Sequence, residues 1–463
     1  MAQAPAKFLT GSLFKHVSVM SLTASVGLMA VFLVDFVDMV FISMLGKAEL
    51  AAAVGYAGAI LFFTTSFSIG LAIAAGALVA RALGEGNEGL AARRTSTSLI
   101  YGVVFSAIFA GLVWLNLRFF AELLGATGNT LDLTVHYLQS IVPSLPLLMI
   151  GMMGGAILRA HGDAKRAMMA TIYAGVVNAI LDPILIFGFD LELTGAALAS
   201  VCARVAIAAT ALLPIIKYYG GLKLPTFSCL IEDLPPTLTI AFPAILTQLA
   251  TPVGQAYVTR AMAEYGEAAV AGMAIVGRLT PVSFAVIFAL SGAIGPIIGQ
   301  NFGAKDNARV EGAFFAGLAF TALVVIGIAL ALFGLRGPIA ALFDAEGVTK
   351  DLVFLFCGPL ALLFFFNGVL FVAKAAFNNL GHPFYSTWVN WGRHTLGTMP
   401  LVALCAWAFG APGVLIGQAL GGVVFGTVAF FLARKVIREG RAPKDRDPFA
   451  RQARLLSLLN LRR

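Results

Sequence analysis

The stretch LGKAELAAAVGYAG at residues 45–58 decides the fold, because a related stretch, YGEAAVAGMAIVG, occurs at residues 265–277. In this alignment Gly46 meets Gly266, so the two copies are offset by about 220 residues, a period far longer than that of any helix or turn. Similarity at one fixed offset is typical of a duplicated architecture. The chain is therefore interpreted as two copies of one structural unit.

Three further matches lie in the same register and extend the duplication along the chain. They pair RALGEGN (81–87) with QNFGAKD (300–306), LLGATG (123–128) with LFDAEG (342–347), and Gly162 with Gly381. Four matches in one register are not expected by chance. Both copies are therefore predicted to fold in the same way.

The composition indicates that each copy lies in a membrane, since 59% of the 463 residues are hydrophobic and only 12% are charged. A bilayer core about 30 Å thick is crossed by roughly 20 apolar residues in a helix. Twelve spans are predicted, at residues 14–41, 50–80, 95–117, 133–158, 167–189, 195–216, 237–259, 268–299, 310–334, 351–377, 384–408 and 413–433. Six spans per copy is an even number, so both copies enter the membrane in the same orientation. We expect an all-α integral membrane protein with two pseudo-symmetric six-helix lobes around a central cleft.

The predicted domain boundaries follow from these spans. They are an N-terminal lobe (1–216), a cytoplasmic linker (217–236), a C-terminal lobe (237–433) and a basic cytoplasmic tail (434–463). Pro225, Pro235 and Pro236 mark the linker. Residues 441–463 fit either a basic, weakly amphipathic helix on anionic lipid or a solvated tail.

The net charge of +8 is interpreted as a topology signal rather than as a nucleic-acid footprint. With both termini in the cytoplasm, most Lys and Arg residues fall on the cytoplasmic side, as expected for a multi-pass protein of the bacterial inner membrane. The four Cys and five His residues show no metal-binding or catalytic spacing. We therefore expect neither an enzyme nor a bound cofactor.

Three carboxylates fall within the apolar part of the predicted spans, namely Asp35, Asp38 and Asp182. A charge at this depth costs several kcal/mol, so each one needs a reason. Asp35 and Asp38 are three residues apart and share a helix face, although Asp38 also fits a hydrated position near the external end. Asn178 lies one turn before Asp182, and Pro183 frees a backbone carbonyl. We hypothesise that Asp35 and Asp182 load a proton or a sodium ion from outside.

The second copy differs from the first in charge. Gln255 stands near the counterpart of Asp35, and the residues around Met399, near the counterpart of Asp182, are uncharged. The spans of this copy instead carry basic residues at Arg278, Lys374 and Arg393, and span six carries Arg204. Two readings stay open: these bases snorkel or pair between lobes, or they let the cleft admit anions and zwitterions.

Several motifs resemble those of the multidrug and toxic compound extrusion (MATE) family, and the resemblance covers roughly residues 12–436. They are VDFVDMVFISMLGKAELAAAVG (34–55), VARALGEGN (79–87), NAILDPILIFG (178–188), GAALAS (195–200) and GQNFGAKDNAR (299–309). The resemblance implies a V-shaped antiporter that exports mainly amphipathic organic cations, from the DinF-like branch. The cation-coupling residues it implies are Asp35, Tyr137, Asn178, Asp182 and Ser200, with Asp38, Gln255, Arg278 and Lys374 as secondary candidates.

Two departures from the family pattern are visible. Many DinF-like relatives carry a proline in span one, where this chain reads VMSLTASVG (19–27). The acids of the NorM-like branch are missing near Gln248 and Asn367. A mechanism that needs a proline kink in span one, or a cation site in the second lobe, is therefore not expected.

The predicted function is secondary active multidrug efflux, with H⁺ or Na⁺ as coupling ion and no other cofactor. We expect a monomer whose partners are organic small molecules and membrane lipids, without nucleic acid. The alternatives are a flippase for lipids or lipid-linked precursors from the same superfamily and, from another class, an integral-membrane enzyme. A channel is disfavoured because the two copies contain no repeated pore loop.

Overall fold

The computed structural model describes residues 6–220, 222 and 224–440. Of the predicted tail at 434–463, residues 434–439 continue helix α17 and residues 441–463 lie outside the described part. Within the described residues the chain forms helices and no strand. The helices are α1 Leu13–Met44, α2 Ala48–Gly84, α3 Glu88–Leu115, α4 Leu117–Leu123, α5 Gly128–Ile141, α6 Leu145–Ala160, α7 Ala164–Pro183, α8 Glu192–Tyr218, α9 Phe227–Ala263, α10 Glu267–Ser283, α11 Ala285–Gly303, α12 Asn307–Leu342, α13 Gly347–Leu355, α14 Ala361–Asn379, α15 Pro383–Gly392, α16 Thr398–Phe409 and α17 Ala411–Glu439. Short non-α segments interrupt this series: a 3₁₀ turn at Val142–Ser144 and π-helical turns at Ile184–Gly188, Phe356–Leu360 and Arg393–Gly397.

Eleven helical stretches in the described part of the chain are long and apolar enough to cross a membrane. The predicted span 384–408 is helical too, but a π turn divides it into α15 and α16, each too short by itself. The predicted span 268–299 is divided into α10 and α11 near Phe284. The polytopic all-α fold is confirmed. The two predicted spans that differ from a single continuous helix do so because the helix breaks within them.

The linker between the lobes is shorter than the sequence indicates. Helix α8 ends at Tyr218 and α9 begins at Phe227, so Pro235 and Pro236 lie inside a helix rather than in a loop. The Thr226 side chain caps this helix by accepting a hydrogen bond from the Cys229 backbone N–H.

Two bundles of helices form the molecule. In the first, α1 packs on α7, α2 on α6, and α7 on α8; in the second, α9 packs on α15, and α17 packs on α14 and α16. The bundles meet where α2 packs on α9 and α11, and where α1 packs on α11. The two-lobe arrangement predicted from the duplication is confirmed.

Two equivalent hydrogen bonds join the lobes and show their pseudo-symmetry. Arg81 of α2 donates to the carbonyl of Asn379 at 2.9 Å, and Gln300 of α11 donates to the carbonyl of Ala160 at 2.7 Å. Donors and acceptors are each related by the offset of about 220 residues found in the sequence. The lobes therefore meet about an axis that relates one repeat to the other.

The lobes are closed at one end and apart at the other. The interlobe bonds of Arg81 and Gln300 lie beside the N-terminal segment, where Phe8 is fully buried and its N–H donates to Gln300 Oε1 at 2.9 Å. Gly440, the last described residue, packs near Asn307 at this same end. Helix α11 packs against the first lobe here, whereas α10, the other half of its span, packs mainly on α13. The result is a V that closes at the end carrying both described chain termini.

Candidate functional site: an acidic cluster in the first lobe

The acidic cluster forms between α1 and α7. Helix α1 runs unbroken from Leu13 to Met44, as expected for a span without proline. Helix α7 ends at Pro183, which cannot donate a backbone hydrogen bond, and a π turn follows immediately. Gly195 lets α8 approach this turn, since a Cβ there would stand 2.7 Å from the carbonyl carbon of Leu185.

Two carboxyl groups share one amide in this cluster. Asn178 Nδ2 donates to Asp38 Oδ1 at 3.1 Å and to Asp182 Oδ2 at 2.7 Å. Asp38 also lies within hydrogen-bonding reach of Asp182. Only 1% of Asp182 and 5% of Asn178 is exposed. Two ionised carboxylates this close together and this well shielded from solvent would repel each other. The arrangement therefore requires a proton or another cation between them.

One atom of the cluster lacks a partner that such a cation would supply. Asp182 Oδ1 is buried and has no hydrogen-bond partner among the described residues. A buried carboxylate oxygen left unpaired costs free energy until it gains a proton or a metal ion. The described residues contain no group of three or more His, Cys, Asp or Glu side chains that could hold a metal ion.

The structure places the two acids on α1 differently from the expectation. Asp38, which the sequence reading treated as a secondary and hydrated candidate, is the one that contacts Asn178. Asp35, the predicted primary acid, is exposed and interacts with Asp38 only through its charge. Counting residues from the helix ends gives the reason: Asp38 precedes Gly46 by about as many residues as Asp182 precedes Gly188, so the two lie at similar depth.

Tyr137 and Ser200 lie beside the cluster. The Tyr137 hydroxyl is hydrogen-bonded to Ser200, and the ring is buried between α5 and α8. Arg204 stands close to Tyr137 and donates to the Ile141 carbonyl at 2.8 Å and to Ser144 Oγ at 2.9 Å. Arg204 therefore provides hydrogen bonds to the carbonyl and hydroxyl groups at the C-terminal end of α5, within its own lobe. It neither snorkels to the membrane surface nor bridges the lobes.

The candidates in the second lobe lie apart from this cluster. Gln255 is exposed and accepts a hydrogen bond from Gln418 at 3.3 Å, while Arg278 is exposed on α10. Lys374 is partly buried beside Asn390, at 3.5 Å from its Oδ1. None of these three residues contacts the acidic cluster in the described part of the chain. The sequence reading missed the convergence of Lys374 with Asn390 because the two lie on different helices.

Comparison with known proteins follows the same division into two lobes. The MatE family model matches residues 24–184 and 243–404. The chain is similar to the FAD transporter of Shewanella oneidensis, at 28% identity over 432 residues that cover 91% of this chain and 95% of that one. It is also similar to the multidrug export protein MepA of Staphylococcus saprophyticus, at 26% identity over 310 residues that cover 66% and 68% of the two chains. A crystal structure of the Vibrio cholerae transporter VcmN has the same fold, with a TM-score of 0.88 at 24% identity over 92% of this chain and 97% of that one.

Proposed function

This chain belongs to the MATE family of membrane transporters, and we propose that it is an antiporter that exports amphipathic, mainly cationic organic compounds in exchange for H⁺ or Na⁺. It is a multi-pass membrane protein, and its relatives are transporters, which points away from enzymatic activity. The bias of basic residues supports a place in the bacterial inner membrane with both termini in the cytoplasm. The proposed working unit is a monomer with no cofactor other than the coupling ion.

The shared amide of Asn178 is the observation that carries this proposal. It holds Asp38 and Asp182 together at a depth where only one of the two carboxyls can stay ionised without a counter-cation. A cation that enters from the open end of the V neutralises the pair, and its departure restores the charge. Ion and substrate then affect each other's binding to the same extent, which is the requirement for coupled exchange.

The orientation of the amide supports H⁺ over Na⁺ as the coupling ion. Asn178 presents its NH₂ group to both carboxyls, and one proton shared between Asp38 and Asp182 completes this network. A sodium ion prefers oxygen ligands, so the amide has to turn over before its oxygen faces the ion. We therefore expect a proton gradient to drive transport more strongly than a sodium gradient.

The test uses proteoliposomes with the proton and sodium gradients imposed separately. Wild-type protein is expected to move ethidium against its gradient when driven by protons, and Asp182→Asn to lose about tenfold or more of that rate. Asp132→Asn is the matched control, because Asp132 is exposed and paired with Arg118 at 2.6 Å. Proton-driven transport that is unchanged in Asp182→Asn would overturn the assignment of the coupling site.

A second candidate cargo follows from the Shewanella relative, whose name is FAD transporter. Flavin adenine dinucleotide combines flat aromatic rings with a diphosphate, so it is an anion rather than a cation. The basic residues in the second lobe of this chain support such a cargo.

A further inference from the structure

We infer that Lys374 and Arg393 form a binding site for an organic anion inside the second lobe, one that takes a phosphate or carboxylate group attached to an aromatic ring. The binding site stands on its own geometry, and only the step from binding to export rests on the proposed function.

The site lies where five helical elements meet. Lys374 and Asn367 come from α14, Asn390 from α15, and Arg393 from the π turn that follows α15. Helix α9 packs on α15, and α17 packs on α14, so these two helices enclose the group from both sides. Side chains in this position face the interior of the lobe and not the lipid.

The lysine end of the site is held in place by a chain of hydrogen bonds. Asn390 Nδ2 donates to the Thr247 carbonyl of α9 at 2.6 Å, and this fixes its Oδ1 toward Lys374 Nζ at 3.5 Å. One long hydrogen bond leaves most of the donor capacity of the ammonium group unused, since it can donate three.

The arginine end has unpaired groups that converge on a notch. Arg393 Nε and Asn367 Oδ1 are buried without a hydrogen-bond partner in the described residues. A Cβ on Gly422 of α17 would stand 3.6 Å from Asn367 Oδ1 and 3.9 Å from Arg393 Nε. Glycine at this position leaves the space beside the guanidinium open.

His394 adds a third nitrogen to the same region. It is 7% exposed, and its Nε2 has no partner among the described residues. Its ring packs on the bare backbone of α9 at Gly254, where a Cβ would lie 2.1 Å from Nδ1. The charges of Lys374 and Arg393 lie close enough to act on each other and on the His394 ring.

No acidic residue in this part of the sequence can neutralise the group. The sequence contains neither Asp nor Glu from Leu352 to Arg438, a range that runs from before α14 into the last turn of α17. The same is true of α9 from Leu234 to Ala263. Two cations buried together without a counter-charge are expensive, and an anionic ligand supplies that charge. A guanidinium and an ammonium around an open notch suit a phosphate or carboxylate.

The aromatic part of the ligand is indicated by a row of phenylalanines that ends at the lysine. Lys374 Nζ stands 4.9 Å from the centre of the Phe371 ring, which lies 5.4 Å from the Phe288 ring. Phe364 continues the row, 5.9 Å from Phe288. A flat ring can stack on this row while the anionic group attached to it meets the cations.

The test measures equilibrium binding of flavin mononucleotide and riboflavin, which differ only by one phosphate, to the protein in phosphatidylcholine nanodiscs without an ion gradient. Wild-type protein is expected to bind flavin mononucleotide about tenfold or more tightly than riboflavin. Lys374→Gln and Arg393→Gln should each reduce this advantage while leaving riboflavin affinity unchanged. Arg260→Gln is the control, since it removes an exposed positive charge from α9 of the same lobe.

Two results would overturn the site: equal affinity of the wild type for both flavins, or equal losses for both in the glutamine variants. Riboflavin binding reports the fold of each variant, and Arg393→Lys, which keeps the charge, should retain most of the flavin mononucleotide affinity. Addition of phosphatidylglycerol should leave this affinity unchanged. If the lipid competes with flavin mononucleotide, the proposal of a soluble ligand is wrong and the site binds an anionic lipid headgroup. The two proposals can fail separately. If Asp182→Asn transports normally while flavin mononucleotide still binds, the antiport mechanism is wrong and the anion site is retained.

Discussion

The two lobes have the same helical scaffold and opposite polar interiors. In the first, Asp38 and Asp182 share the amide of Asn178. In the second, Lys374 and Arg393 lie together, and the sequence contains neither Asp nor Glu from Leu352 to Arg438 or from Leu234 to Ala263. The duplication thus preserves the contacts that shape the lobes and leaves the buried charges free to diverge. On the proposals above, the first lobe binds a small exchangeable cation and the second an anionic group.

This contrast predicts unequal results where the lobes differ, and the largest effect is expected at the acidic cluster. Asp38→Asn should reduce proton-driven export of ethidium about tenfold or more, because it removes one of the two carboxyls that share Asn178. Asp35→Asn should stay within about threefold of the wild type, since Asp35 is exposed and acts on Asp38 only through charge.

The control for this pair is Gln255→Leu, which changes the counterpart of Asp35 in the second lobe and should leave export unchanged. Export rates are measured in proteoliposomes at matched protein content. A larger loss in Asp35→Asn than in Asp38→Asn would show that the cluster of the described structure is not the coupling site.

Equal results are expected where the lobes are alike, at the pair of glycines on the closed end. A Cβ on Gly84 would lie 1.9 Å from the Gln300 carbonyl oxygen, and a Cβ on Gly303 would lie 2.2 Å from that of Arg81. Because both obstacles are backbone atoms, Gly84→Ala and Gly303→Ala should each destabilise the protein by about 1–3 kcal/mol.

Thermal unfolding of the purified protein measures these losses. Gly111→Ala and Gly327→Ala serve as one control in each lobe, since no atom lies within 4 Å of either added Cβ. A strong loss in only one of the two closed-end variants would contradict the pseudo-symmetry of the interlobe contact.

The smallest expected effect tests a turn that the two lobes close differently. Asp163 caps α7 by accepting from the Arg166 N–H, whereas His382, its counterpart, makes no side-chain cap for α15. Asp163→Ala should therefore cost about 1 kcal/mol, and His382→Ala less than about 0.5 kcal/mol. Thermal unfolding of the two variants beside the wild type measures this difference, and equal losses would contradict it.

The effect at Asp163 should depend on pH in one direction. Partial burial raises the pKa of this carboxyl, but hydrogen bonds from Tyr219 and Arg166 outweigh it and hold the pKa below 3.8. Its stabilising contribution is then complete above pH 3.8 and is lost as the pH falls through the lowered value. The difference between wild type and Asp163→Ala should stay constant from pH 8 to pH 5; a decline within that range would contradict the lowered pKa.

The fold was predictable from the sequence because repeated glycines at turns, such as Gly46 and Gly266, set the register of both copies. The membership of the acidic cluster was predictable only in part. Asn178 and Asp182 are one turn apart on a single helix, so spacing alone pairs them. Which acid of α1 contacts Asn178 depends on its depth in the membrane relative to α7. The position of a residue on a helix face does not specify that depth. Contacts between separate helices, such as Lys374 with Asn390, need the packed structure.

The N-terminal segment before α1 holds the two lobes together at the closed end. Lys7 donates to the Gly162 carbonyl of the first lobe at 2.8 Å, while the Phe8 carbonyl accepts from Arg309 of the second at 2.9 Å. If the closed end is to separate, Phe8 has to leave its buried site, at a cost of about 2–3 kcal/mol for the ring alone. A few residues outside the membrane spans thus stabilise the closed end. Shortening this segment should change the rate of the transport cycle without changing which substrate is carried.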